Sequence, residues 1–86
     1  MKHVYEIKCS GPWYWVAADT VVDALGCYRI HSGNEDKYVN IQQLPDDMNL
    51  FIDSPIYSQD IKGEEKTCHE WAKECVKARV IAFEQD

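Results

Sequence analysis

The chain has 86 residues, nine basic and fifteen acidic side chains, a formal net charge of −6, 45% hydrophobic and 12% aromatic residues. That length suits one domain over residues 1–86, with no room for a second core. An acidic balance without a basic stripe argues against direct nucleic-acid binding, and no apolar run nears the roughly 18 residues that span a bilayer.

Residues 2–9 alternate, with His3, Tyr5, Ile7 and Cys9 on one side and Lys2, Val4, Glu6 and Lys8 on the other, the pattern of a half-buried strand. The charges of Glu6 and Lys8 also interrupt any leader-type apolar segment, so a soluble cytoplasmic protein is expected. Ser10-Gly11-Pro12 signals a turn. Trp13 to Ala18 then returns as a second strand, Trp13, Trp15 and Ala17 opposing Tyr14 and Val16. On this reading Trp15 lies under a helix, while Tyr14 faces out or into an interface.

Thr20-Val21-Val22-Asp23 matches a capping box, with Thr20 as N-cap. Val21, Ala24, Leu25 and Tyr28 follow at helical spacing, and Gly33 is a natural left-handed terminator. Gly26 weakens such a helix, which predicts a close packing contact at that position. Tyr38 to Leu44 reads as a third strand with Val39 and Ile41 inward. Pro45-Asp46-Asp47 breaks it, and Met48 to Ile52 forms a fourth. Residues 53–64 read as a long polar loop. Thr67-Cys68-His69-Glu70 repeats the capping pattern, and Cys68, Trp71, Ala72, Cys75 and Val76 trace an apolar helical stripe, with Lys66, Lys73, Glu74 and Lys77 outside. Arg79 to Phe83 closes the chain as a strand. The order β-β-α-β-(β)-α-β predicts an α+β fold, a mainly antiparallel sheet of four to five strands carrying two helices.

Charge is unevenly spread. Residues 35–65 hold Glu35, Asp36, Asp46, Asp47, Asp53, Asp60, Glu64 and Glu65 against Lys37 and Lys62, whereas seven acids and seven bases balance elsewhere. A surface of one sign steers partners of the other. Tyr38, Met48, Phe51 and Tyr57 interleave with these acids, so the stretch is a candidate protein-binding surface whose charges set the on-rate and whose rings, Phe51 and Tyr57, anchor. The plain alternative is a polar loop region over an ordinary core.

Other chemistry is poorly supported. Cys27 and His31 stand four apart on the first predicted helix, with Cys9, Cys68, His69 and Cys75 as further candidate ligands, but no paired cysteine knuckle accompanies them. Cys68 and Cys75, seven apart on a helix, would lie about 10.5 Å apart along its axis, beyond disulfide reach. A Cys–His dyad lacks an electropositive setting. The paired acids Asp46-Asp47, Glu35-Asp36 and Glu64-Glu65 fall in polar turns, where carboxylates are solvated. There is no phosphate loop, dinucleotide fingerprint or EF-hand. Neither catalysis, a cofactor nor a bound metal is expected.

The stretch Trp13-Tyr14-Trp15-Val16-Ala17-Ala18-Asp19-Thr20-Val21-Val22-Asp23-Ala24-Leu25 is similar to a strand-to-helix pattern in small acidic accessory proteins of bacteriophages and mobile elements, and Thr67-Cys68-His69-Glu70-Trp71-Ala72 resembles it in kind. Within that group the resemblance points to anti-CRISPR inhibitors. It implies a phage-encoded, non-enzymatic inhibitor acting in the host cytoplasm on a basic, nucleic-acid-binding surface of a bacterial defence protein. Two alternatives stand beside it. One is a structural or homo-oligomeric accessory protein with a self-interface at Trp13 or Tyr14; the other is a small metal or thiol protein using Cys27 and His31.

Overall fold

The structure is a computed structural model that describes residues 1–9, 13–33, 40–53 and 63–84. Alternating strands β1 (His3–Lys8) and β2 (Trp13–Ala18) pair antiparallel, Tyr5 opposite Val16 and Ile7 opposite Tyr14. Helix α1 (Val21–Ser32) follows at once. Thr20 Oγ1 accepts from the Asp23 amide at 3.1 Å, and Gly33, at φ 67°, closes the helix by donating its N–H to the Arg29 carbonyl at 2.9 Å. Strand β3 (Asn40–Gln43) pairs with β1, and β6 (Arg79–Glu84) with β2, which makes an antiparallel sheet in the order β3-β1-β2-β6. Strands β4 (Asn49–Ile52) and β5 (Glu64–Thr67) form a separate antiparallel ribbon, and β5 runs directly into α2 (Cys68–Lys73). Among the described residues, six strands in two antiparallel sheets with two helices make this an α+β protein.

Both faces of the four-stranded sheet are covered. Tyr5, Ile7, Tyr14, Val16, Ala18 and Val80 pack with Ala24 and Tyr28 of α1. The opposite face presents Val4, Ala17, Ile81 and Ala82 to Trp71 and Ala72 of α2, to Cys75, and to Leu50 and Ile52 of the ribbon. A bulge in β6, where Trp15 pairs with Ala82 and Val16 with Val80, lets the consecutive Ile81 and Ala82 serve the same face.

This two-sided burial corrects the assignment of the Trp13–Ala18 strand. Tyr14 is the core residue, its ring edge-on to Tyr28 at 5.0 Å and stacked near Phe83 at 5.7 Å. Trp15 is half-buried at the rim of the other cluster, and its Nε1 donates to Glu6 Oε2 at 3.3 Å. The helix that directly follows β2 folds back over the Tyr14 face, so ring size does not decide which face it covers.

Three further expectations change. A Cβ built on Gly26 would meet no atom within 4 Å, so no close contact inside the chain explains that glycine. The second helix ends at Lys73 with Glu74 as its C-cap, which takes Val76 out of helical phase and leaves it 89% exposed. Cys75 instead turns back, its amide donating to the Ala72 carbonyl at 3.1 Å and its thiol reaching the Trp71 carbonyl at 3.6 Å. Third, Glu64 and Glu65 lie in a strand rather than a polar turn. Of the long predicted loop, residues 54–62 lie outside the described residues, as do Tyr38 and Val39 of the third predicted strand.

Candidate functional site

The β4–β5 ribbon sorts its side chains by simple alternation. Leu50 and Ile52 point into the core, so Asn49 and Phe51 point out. Phe51 stands directly opposite Glu65, and residues opposite one another in an antiparallel pair share a face. Phe51 is 57% exposed, and Glu65 is exposed beside it. At the end of the ribbon the Gly63 amide donates to the Asp53 carbonyl at 2.7 Å. Gly63 has φ 59°, and a Cβ there would lie 3.3 Å from Phe51 Cζ and 3.8 Å from Asp53 Oδ1. A glycine is needed twice over, for the left-handed backbone and for the ring laid against it.

Behind this face the ribbon is fastened to the core. Trp71 is fully buried, and its Nε1 donates to the Leu50 carbonyl at 2.8 Å. Lys66 extends over the Trp71 ring, Nζ 4.5 Å from the centroid, and pairs with Glu64 at 3.5 Å and with Glu74. Burial pulls the Lys66 pKa down, but the hydrogen bond and charge of Glu74, joined by Glu64, outweigh it and raise it. The charged ammonium itself lies over the face of the indole. At the far end, Asp46 and Asp47 occupy a turn closed by the Met48 amide donating to the Pro45 carbonyl at 3.1 Å. His3 Nδ1 donates to Asp46 Oδ1 at 2.9 Å, which ties that turn to β1.

The ten residues assigned to the surface from sequence therefore divide. Glu35, Asp36, Tyr57 and Asp60 lie outside the described residues. Asp46 already takes a hydrogen bond from His3, and Glu64 pairs with Lys66. Asp47, Asp53 and Glu65 are exposed and form no ion pair among the described residues, and the last two flank Phe51. Charge alone puts Lys66 on the outside; nothing in Glu64-Glu65-Lys66-Thr67 announces that it lies over a tryptophan.

The cysteines act as packing residues. Burial, reinforced by Asp46 and Glu6, pushes the Cys68 thiol up to about 11, and burial raises Cys75 as well. Cys27 is half-buried against the α1 cluster, its thiol raised by burial and then by Asp23. His31 lies against Tyr14 and Phe83, at 5.8 and 5.6 Å between ring centroids. Among the described residues no group of three or more His, Cys, Asp or Glu side chains converges to hold a metal ion. Tyr14, being buried, offers no self-interface; Trp13 is 41% exposed with Lys8 Nζ 4.5 Å over its ring. No helix of the described residues is long and apolar enough to cross a membrane. No family model matches the chain, and no significant similarity to a curated protein or a solved structure is found.

Proposed function

We propose that this chain is a non-enzymatic, phage-encoded inhibitor that acts in the host cytoplasm by seating the outer face of its β4–β5 ribbon on a basic, nucleic-acid-binding surface of a bacterial defence protein, such as a CRISPR–Cas complex. One observation carries the reading. A large ring, Phe51, is held in solvent between Asp53 and Glu65, two carboxylates that no cation of the described chain neutralises. Arg and Lys side chains that ordinarily hold phosphates accept carboxylates in the same charge-assisted geometry. The acids speed encounter, and the ring is the anchor that slows departure. Asp47 extends the acidic face at the far turn. Glu35, Asp36, Asp60 and Tyr57 belong to the same proposal from sequence.

The test is phage plating on bacterial strains that each carry one active CRISPR–Cas system and express this chain. Wild type should restore plating of a targeted phage in at least one strain, and Phe51→Ala or the pair Asp53→Asn with Glu65→Gln should lose that effect at equal expression. Unchanged plating across the strains counts against a defence target. Full activity of both variants would remove the ribbon face from the account.

A further inference from the structure

One cleft in this acidic chain has only bases among its charged walls. It has a volume of about 200 Å³ and lies between the start of the chain and helix α2, lined by Met1, Lys2, His69, Ala72, Lys73 and Cys75. His69 and Lys73 stand four apart on α2, and so share one side of it. Ala72 and Cys75 are buried and form the floor. The His69 amide donates to the Asp46 carbonyl at 2.9 Å, which fixes the start of α2 against the turn before β4.

The acids that border the cleft are already engaged. Glu70 turns back to the Thr67 amide and hydroxyl at 3.2 and 3.0 Å, and Glu74 pairs with Lys66. Asp46 accepts from His3, and Asp19 holds the Met1 amine at 3.4 Å. Lys2 and Lys73, by contrast, form no ion pair among the described residues. Burial raises the Cys75 thiol, and Arg79 and Lys2 both act against that rise, so the Lys2 charge is felt at the floor of the cleft. Two like charges thus border one small concavity without a counter-charge, and a bound anion would relieve their repulsion.

Size and donor type narrow the ligand. Pockets for drug-sized ligands run to about 300–1,000 Å³, so this smaller cleft suits a small anion or the head of a larger molecule. Among the described residues no arginine lines it, and a planar carboxylate gains most from the two-pronged guanidinium. Lysines are point charges with rotatable donors, which suit a tetrahedral dianion. We infer that the cleft between Lys2 and Lys73 is an anion site that takes a phosphate group, with His69 as a further donor at its rim and Met1 and Ala72 as the apolar wall beside it. This site is independent of the proposed inhibitor role, which rests on the acids and the ring of the ribbon face.

Amide chemical-shift mapping of the isotope-labelled chain tests it, with any purification tag at the C-terminus because Met1 and Lys2 line the cleft. Sodium phosphate is titrated at neutral pH and constant ionic strength, with sodium chloride as the reference. The net charge of −6 repels anions in general, so saturation reports a local site. Phosphate should give saturable shifts centred on Lys2, His69, Ala72, Lys73 and Cys75. Lys2→Gln and Lys73→Gln should melt as wild type and each weaken binding about three- to fivefold, the double variant more than either. Lys8→Gln, the same change of charge at the far end of β1, should bind as wild type does. Acetate should bind more weakly than phosphate. A phosphomonoester that binds more tightly than inorganic phosphate would assign the site to the phosphate of an organic molecule, and equal binding would assign it to the free anion. Shifts no larger than in chloride overturn the inference. So do saturable shifts that survive in the double variant, which would place the binding elsewhere. Acetate that binds as tightly as phosphate would overturn the assignment to a phosphate group.

Discussion

Single residues decide how the candidate surface is shaped. Gly63 sits at φ 59° with the Phe51 ring against it, so Gly63→Ala combines a left-handed alanine with a contact that must give way. It should cost about 1–2 kcal/mol or more, measured by urea unfolding. The two buried cysteines should separate under the same substitution. Cys75 already has the Trp71 carbonyl as a thiol acceptor, and a serine there keeps an acceptor in place. Cys68 lies fully buried among apolar side chains, so Cys68→Ser should be the costlier change, by about 1–3 kcal/mol. Cys68 also carries a pH signature. Its thiol ionises near 9.0 unfolded but only at about 11 folded, so between those values the unfolded chain binds fewer protons. Its stabilising contribution is complete below about pH 9 and is lost as the pH rises towards about 11. Urea melts at about pH 8 and about pH 10 should show a smaller alkaline loss in Cys68→Ala than in wild type. An identical loss would mean that the raised tyrosines Tyr5 and Tyr14 and the other thiols account for it.

At the scale of elements, what could be read from the sequence is what local chemistry specifies. Both helix starts were legible because Thr20 and Thr67 accept from amides three residues on, and the Thr67–Glu70 box is complete in both directions. Thr67→Ala should therefore cost about 1 kcal/mol in thermal or chemical unfolding. Strands β1, β2, β4 and β6 were legible from alternation. Strand β5 was not, since Glu64-Glu65-Lys66-Thr67 contains no apolar side chain and takes its place through backbone pairing to β4 and the Lys66 ammonium over the Trp71 ring. The premature end of α2 was equally hidden, because Cys75 is apolar and buried whether or not it is helical. Trp71 joins these pieces. Trp71→Phe keeps most of the ring but leaves the Leu50 carbonyl without its indole donor, at a cost of about 1–3 kcal/mol. Gly26→Ala should do the reverse, stabilising the fold by about 0.5–1 kcal/mol, because the added methyl meets nothing and the helix gains. A destabilised Gly26→Ala variant would contradict the open environment of that position.

Across the whole molecule, the α+β class followed from element order, whereas the layering did not. Which face of β2 α1 covers depends on how the chain turns after Ala18, and neither face of Trp13–Ala18 is polar enough to announce itself as the solvent side. The acidic surface was half legible for a similar reason. Charge along the chain marks residues 35–65, but only pairing in space separates Asp46, hydrogen-bonded to His3, and Glu64, paired with Lys66, from Asp47, Asp53 and Glu65, which form no ion pair among the described residues. The central claim is that these three acids and Phe51 form a binding face. Its most direct test is the binding kinetics of a partner captured from bacterial lysate, measured against wild type, Phe51→Ala and the triple variant Asp47→Asn/Asp53→Asn/Glu65→Gln at low and high salt. Wild-type affinity should fall with salt, and the triple variant should bind more slowly, with a weaker salt dependence. Phe51→Ala should dissociate faster at every salt concentration. A triple variant that binds as fast and as tightly as wild type throughout would contradict the claim and reduce the acidic face to a solubilising surface.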